Sequence, residues 1–286
     1  MKKRLIHHAI CAVVIVLLGG FLTAFMVRSA PGFETDAEQL DPRLTPQSVH
    51  ALRAERTRQR NPVHLYLQLF GNAAHGDLGE SQLYRRPVRQ LIGERISTTA
   101  KLTGLGLLEA WVLGLALPAA TLIFRSRAYI LLAGSISSLA ICIPAAMLAI
   151  LFAATQAPAS MAVALVVFPK LFVYIRNLCQ QSYRMPHVLM ARAKGAGMVR
   201  VLVFHIWPVT GGQIVALAGV SVSLAIGAAI PVESLMGIPG IGQLAWQAAL
   251  GRDLPTLVIL TILVATATVT ANAASDLVNA ALGQPR

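Results

Sequence analysis

Six stretches of this sequence are apolar for long enough to cross a lipid bilayer, and they constrain the fold before any single motif does. They run from Ile10 to Val27, Thr99 to Phe124, Ala128 to Thr155, Met161 to about Leu178, Gly211 to Ile230 and Thr256 to Leu282. About 20 apolar residues carry a helix across the hydrocarbon. Backbone in lipid must satisfy its own hydrogen bonds, so each stretch reads as an α-helix. Of 286 residues, 56% are hydrophobic and 13% charged, too apolar for a domain wetted on all sides. The expectation is an all-α integral membrane protein with six transmembrane helices.

Lys2, Lys3 and Arg4 precede the first run. Its length exceeds the roughly 7 to 15 residues of a signal-peptide core, and no convincing small-residue cleavage site precedes Arg28, so it reads as a retained helix with a cytoplasmic amino terminus. From Ser29 to Ser97 the composition turns polar, with prolines at 31, 42, 46, 62 and 87. This is expected to be an extracytoplasmic region, with a solvated surface helix from Thr45 to Arg60. Its nine arginines do not overturn that orientation, because eight acids nearly cancel them and segments beyond about 60 residues translocate largely regardless of charge. The chain thus divides into 1–28, 29–97 and a five-helix core over 98–286, both termini cytoplasmic. The net charge of +12 points to anionic lipid headgroups and topology, and no aromatic and basic interleaving supports nucleic-acid binding.

Within the runs, Glu109 stands out. A carboxylate near mid-membrane costs about 2.5 to 3.5 kcal/mol on insertion scales, so it must face protein or a water-filled cavity. It is a candidate for a translocation path, with a hydrogen-bonded packing contact as the blander reading. Asn272 and Asp276 are four apart, hence on one helix face, and join it as candidates, although a structural pairing of Asp276 with a cation such as Arg176 or Arg125 ranks higher. The third and fourth runs, joined by Gln156-Ala157-Pro158, should be antiparallel neighbours. Pro118, Pro144 and Pro169 each interrupt a run as kinks. Gly134 with Ser135, Ser137 and Ser138 offers a small-residue packing face. Cys11, Cys142 and Cys179 have no metal-ligand spacing, and no metal site is expected.

The most cationic short connection between two apolar runs is MARAKGAGMVRVLVFHIWP, Met190 to Pro208. Ala191, Arg192, Ala193 and Lys194 favour helix, and Gly195 follows where a helix ends on a residue free to take positive φ. Val199, Leu202, Val203 and Ile206 then recur at helical spacing, so a second amphipathic helix is expected before Pro208 introduces the next run. Two helices meeting at a glycine elbow make a compact cytoplasmic knob over about 185–208.

This elbow resembles the EAA loop of ABC importer permeases, in which Glu-Ala-Ala is followed by a Gly four positions on and an Ile-x-Leu-Pro ten positions after that Gly. Those slots hold Leu189-Met190-Ala191, Gly195 and His205-Ile206-Trp207-Pro208. The string Ala191-Arg192-Ala193-Lys194-Gly195 is closest to the dipeptide, oligopeptide and nickel branch. Matches to that branch continue in order: Pro31-Gly32, Pro62 with Tyr66, Gly76-Asp77-Leu78-Gly79 with Ser81, and Pro87-Val88 with Thr98 and Thr99. Near the end come Glu233 with Pro239-Gly240-Ile241-Gly242, Arg252-Asp253-Leu254-Pro255, the Asn272 and Asp276 pair, and a Pro285-Arg286 terminus. The leading Glu of the loop is absent, and Phe33 and Leu254 replace an Asp and an aromatic.

The resemblance implies a type I ABC importer permease fold in a bacterial inner membrane, with a large extracytoplasmic region between helices 1 and 2. It implies a second homologous permease, two ATPase subunits gripping the elbow through Ala191, Arg192, Ala193, Lys194, Gly195, Ala196 and Pro208, and an extracytoplasmic solute-binding protein. Glu233, Pro239, Gly240 and Gly242 would form a rigid turn at the outer mouth. No Gly-rich loop with Lys-Ser or Lys-Thr is present, so ATP and Mg would sit on the partners, with no cofactor and no catalysis on this chain. Peptides are the expected cargo, and nickel or another small solute is the alternative. A self-sufficient secondary transporter or channel would want more embedded ionisable residues than Glu109 and Asp276 supply.

Overall fold

The computed structural model describes residues 14, 17–23, 25–26, 70–72, 75–124 and 126–281. Thr45–Arg60, Pro31-Gly32, Pro62, Tyr66, Arg125 and Pro285-Arg286 lie outside these residues, as does part of the first run, whose residues 17–23 and 25–26 are helical. The named elements are α1 (Val88–Phe124), α2 (Arg127–Cys142), α3 (Ala145–Ala154), α4 (Ala159–Tyr183), α5 (Pro186–Ala193), α6 (Met198–Val201), a π-turn (Leu202–Ile206), α7 (Trp207–Leu235), α8 (Ile241–Leu250) and α9 (Leu254–Ala281). An isolated antiparallel bridge pairs Glu80 with Pro87. Among the described residues, α1, α4, the continuous helix Met198–Leu235 and α9 are long and apolar enough to cross a membrane, and α2 with α3 would make a fifth span.

Three elements depart from the expected runs. Helix α1 begins at Val88, well before Thr99, because Pro87 pre-sets a helix start and Val88 and Leu91 are apolar and buried. It therefore runs through the 97/98 boundary that composition alone would draw. The third run is not one continuous helix. Ile143 is extended at φ −86° and ψ 120°, Pro144 starts a new helix, and the two pieces bend by 99°. A residue before proline is pushed out of the α region, and here the chain turns instead of kinking. Pro118, Pro169 and Pro231 all sit inside unbroken helices. Finally, Pro208 does not mark a new element: the π-turn carries the amphipathic segment through it into the spanning helix.

The chain forms two compact units, one of residues up to Ile96 with Leu244–Ala267, the other of Ser97–Gln243 with residues from Thr268 on. In the first, Leu254 and Val258 pack with Leu17, Phe21, Phe70 and Ile262. In the second, α4 is the central element: Val163, Val167, Leu171, Phe172 and Ile175 are all buried, and α2, α3 and α7 pack against it. Helix α1 approaches α4 on a stripe of Gly106, Ala110 and Gly114. A Cβ at Gly106 would come within 2.8 Å of the Ser160 carbonyl oxygen, and one at Gly114 within 2.8 Å of Leu171 Cβ. Ala110 between them is fully buried. Small residues four apart let two spanning helices pack backbone to backbone. On α2 the packed face is Ala133, Gly134 and Ser137, with the Ser137 hydroxyl donating to the Pro169 carbonyl at 3.2 Å. Ser135 and Ser138 point away and are exposed, so they do not belong to it.

Candidate functional site

The elbow is built by local backbone chemistry. Pro186 opens α5 at a position where its missing N–H costs nothing. At the other end Gly195 adopts φ +82°, its N–H donates to the Arg192 carbonyl at 2.9 Å, and the Ala196 N–H reaches back to the Ala191 carbonyl at 3.1 Å. That pair of reversed bonds is a Schellman stop, which satisfies the carbonyls a helix end leaves open. Gly197 then precedes α6. The inward face of the elbow is apolar: Val188, Ala191, Val201, Leu202 and Ile206 are buried and join the core that contains Ile175 and Cys179 of α4.

The sequence-expected contact residues divide by direction. Ala191 is buried and Ala196 half-buried, so both serve the elbow's own packing, while Ala193, Lys194 and Gly195 are exposed. Arg192 turns back over the Tyr183 ring, its guanidinium carbon 4.8 Å from the centroid, an arrangement stabilised by the ring's negative face. Outward, Leu189 is 50%, Met190 61%, Val199 57% and Phe204 68% exposed. Large apolar side chains beside exposed Lys194 and Arg200 make a surface suited to being covered.

Pro208 lies one turn beyond, where the helix is short of donors. The π-turn sends the Trp207 N–H to the Leu202 carbonyl, and Pro208 has no N–H to give. Two side chains bond other carbonyls of the same stretch. The Thr210 hydroxyl donates to the Ile206 carbonyl at 3.0 Å, and His187 of α5 holds the His205 carbonyl with Nε2 at 3.2 Å.

Two further motifs resolve into helix caps. Glu233 is fully buried in the last turn of α7. Its Oε2 accepts the Gly242 N–H at 2.6 Å and the Gln243 N–H at 3.3 Å, and Thr99 Oγ1 accepts the Ile241 N–H at 2.7 Å. The first turn of α8 is thereby capped from α7 and α1 together, with the negative charge at the positive end of the helix. Gly240 has to be glycine, because a Cβ there would overlap the Glu233 carboxylate; one at Gly242 would meet Ile230 Cα at 2.6 Å. Pro239, beside them, is exposed.

Asp253, also fully buried, caps α9 in the other unit. It accepts the Thr256 hydroxyl at 2.8 Å, the Thr256 N–H at 3.3 Å and the Ser81 hydroxyl. Ser81 Oγ in turn accepts the Tyr84 N–H at 3.0 Å, and Tyr84 donates its phenol to Gln247. The Gly76-to-Ser81 motif and the Arg252-to-Pro255 motif are therefore two halves of one contact. No local sequence signal joins residues so far apart; only the shared preference of Ser, Asp and Thr for capping hints at it.

Glu109 and Asn272 meet different neighbours. The Glu109 carboxylate accepts the Ser160 hydroxyl at 2.8 Å in the first turn of α4, while its Oε2 is buried without a partner among the described residues. This is the kind of packing contact weighed against the path reading: Glu109 lies in the interior of α1 and Ser160 in the first turn of α4. Asn272 faces Gly219, where a Cβ would come within 2.7 Å of its Oδ1, so it sits in a close helix crossing. Asp276 is half-buried one turn further along α9. Arg176 packs against Gly134 of α2. Among the described residues no three His, Cys, Asp or Glu side chains are placed to hold a metal ion.

Residues 112–284 match the family model described as binding-protein-dependent transport system inner membrane component. That is more than half of the chain. The chain belongs to this family. A peptide permease protein of Brucella suis is 26% identical over 99% of this chain and 98% of its own. A peptide transport system permease of the same organism is 25% identical over 90% of each, and an oligopeptide transport system permease of Haemophilus influenzae is 26% identical over 90% of each. The protein is thus an ABC-type permease component, multi-pass in the inner membrane, and its elbow, caps and helix crossings are parts of a transport device.

Proposed function

We propose that this permease forms half of the translocation pathway of an ATP-driven importer for di- or oligopeptides. In this reading six helices cross the membrane with both termini in the cytoplasm, and the segment between the first two lies outside. A second homologous permease completes the pathway, an external solute-binding protein delivers the cargo, and two ATPase subunits carry ATP and Mg. The peptide assignment rests on the names of the relatives, which span nearly the whole chain.

The observation that carries the coupling part is the elbow. It is short, helical on both sides of a Schellman turn, packed onto α4 within and continuous with α7 beyond, yet it presents Leu189, Met190, Val199 and Phe204 outward. A partner groove that covers this surface can push α5 as a rigid piece and thereby rock α7. Glu109, Asn272 and Asp276 are assigned to helix packing around the pathway before direct contact with cargo.

The test is to purify the tagged permease from its native host and ask what accompanies it. Two ATPase chains and a second permease are expected, with ATP-dependent uptake of labelled peptides after reconstitution with the binding protein. A preparation that takes up only nickel chelates would replace the cargo, and one that lacks any ATPase would end the reading.

A further inference from the structure

We propose that His187 is a positioning residue that fastens α5 to the start of α7, so that displacement of the elbow reaches the spanning helix instead of dissipating in the glycine turn. This rests on the elbow being where force enters. The need for a fastening follows from the connection itself. Between α5 and α6 stand Lys194, Gly195, Ala196 and Gly197, and a Cβ at either glycine would meet nothing within 4 Å. No side chain crowds either glycine. Helix α6 is the first turn of the continuous helix Met198–Leu235, so this glycine turn is the covalent link between α5 and the spanning helix.

Two kinds of contact bridge this gap. The apolar ones, Val188 and Ala191 against Val201 and Leu202, are non-directional and can slide. The bond from His187 Nε2 to the His205 carbonyl, 3.2 Å across 18 residues, is directional and bypasses the turn completely. A carbonyl oxygen only accepts, so Nε2 must carry the hydrogen, and the neutral Nε2–H tautomer or the cation serves equally well.

The carbonyl it grips is also the informative one. It belongs to the π-turn, where Pro208 withholds a donor and the Trp207 N–H is displaced to Leu202. This is the place where the elbow helix becomes the spanning helix. A π-turn is a local irregularity of the kind at which helices kink and functional sites concentrate. A donor from α5 fixed on it sets the register of α7 to the position of α5. His205 contributes only its backbone to this bond: its ring Nδ1 is buried with no hydrogen-bond partner among the described residues.

The test uses the complex purified with its ATPase subunits, with nitroxide labels at Leu131→Cys on α2 and Leu235→Cys at the end of α7, both exposed and away from the elbow, in a background free of native cysteine. The distance distribution is recorded without nucleotide and after trapping with ATP and vanadate, so no cargo need be known. His187→Phe keeps a ring and loses the donor; it is expected to lower the fraction of molecules that show the nucleotide-driven distance by about fivefold. His187→Gln, which places an N–H at a similar reach, is expected to restore it, an outcome that a bulk packing role would not give. A response to nucleotide in His187→Phe equal to the unsubstituted protein overturns the proposal, as does a Gln variant no better than Phe. Gly195→Pro separates the two levels. If it responds normally the elbow itself is not the input, whereas if it is silent while His187→Phe responds, only the role of His187 fails.

Discussion

Glu233 and Asp253 are both buried completely, and each is surrounded by N–H and O–H donors at the first turn of a helix. A carboxylate so placed stabilises by charge-assisted bonds, and removing it strands the donors. Glu233→Ala is expected to lower stability by about 1 to 3 kcal/mol, and Gly240→Ala to be destabilising through the Cβ that displaces the carboxylate. Thermal unfolding of the detergent-purified protein measures both; unchanged midpoints would mean the caps are not formed. Ser81→Ala and Asp253→Asn should be strongly non-additive, with a coupling of about 0.5 to 3 kcal/mol in a double-mutant cycle. At this scale the sequence was partly legible. Gly195 announced a positive φ through its place after a run of helix formers, and Pro-Gly-x-Gly announced a turn. The bond between Ser81 and Asp253 did not announce itself, because its two halves are local turn signals whose pairing exists only in the folded chain.

Among the elements, the prolines are the most instructive. Pro118, Pro169 and Pro231 leave their helices unbroken, Pro144 divides one by 99°, and Pro208 is absorbed by a π-turn. A proline denies one N–H wherever it stands, but whether the chain kinks, stops or recruits side-chain donors depends on packing partners remote in sequence. The stripe of Gly106, Ala110 and Gly114 was passed over in the sequence despite its four-residue spacing, because a serine-rich segment of α2 advertised the same property more loudly, and of its residues only Gly134 and Ser137 lie on the packed face. Gly106→Leu or Gly114→Leu is expected to force α1 and α4 apart and cost about 1 to 3 kcal/mol or the folded yield outright. Val112→Leu, on the exposed side of α1, should leave both unchanged. Gel-filtration profiles of tagged variants in detergent compare them; equal profiles would remove the stripe from the packing.

For the whole molecule, apolar run lengths gave the membrane class and the order of motifs gave the family, both of which survive the departures at α1, α2 and α3. The site was less legible than the family, since no spacing rule tells which side of a short helix faces inward; Ala191 and Arg192 turned to the core while Leu189 and Met190 did not. The proposed coupling needs the turn between α5 and α6 to keep its shape, and that turn rests on Gly195, whose φ of +82° a proline cannot adopt and whose N–H a proline lacks. The decisive measurement is uptake by the reconstituted importer carrying Gly195→Pro, with insertion checked by the amount of permease recovered in the membrane. Insertion at the normal level with uptake reduced to the ATP-free background is the expected result. Uptake at the unsubstituted rate would contradict it.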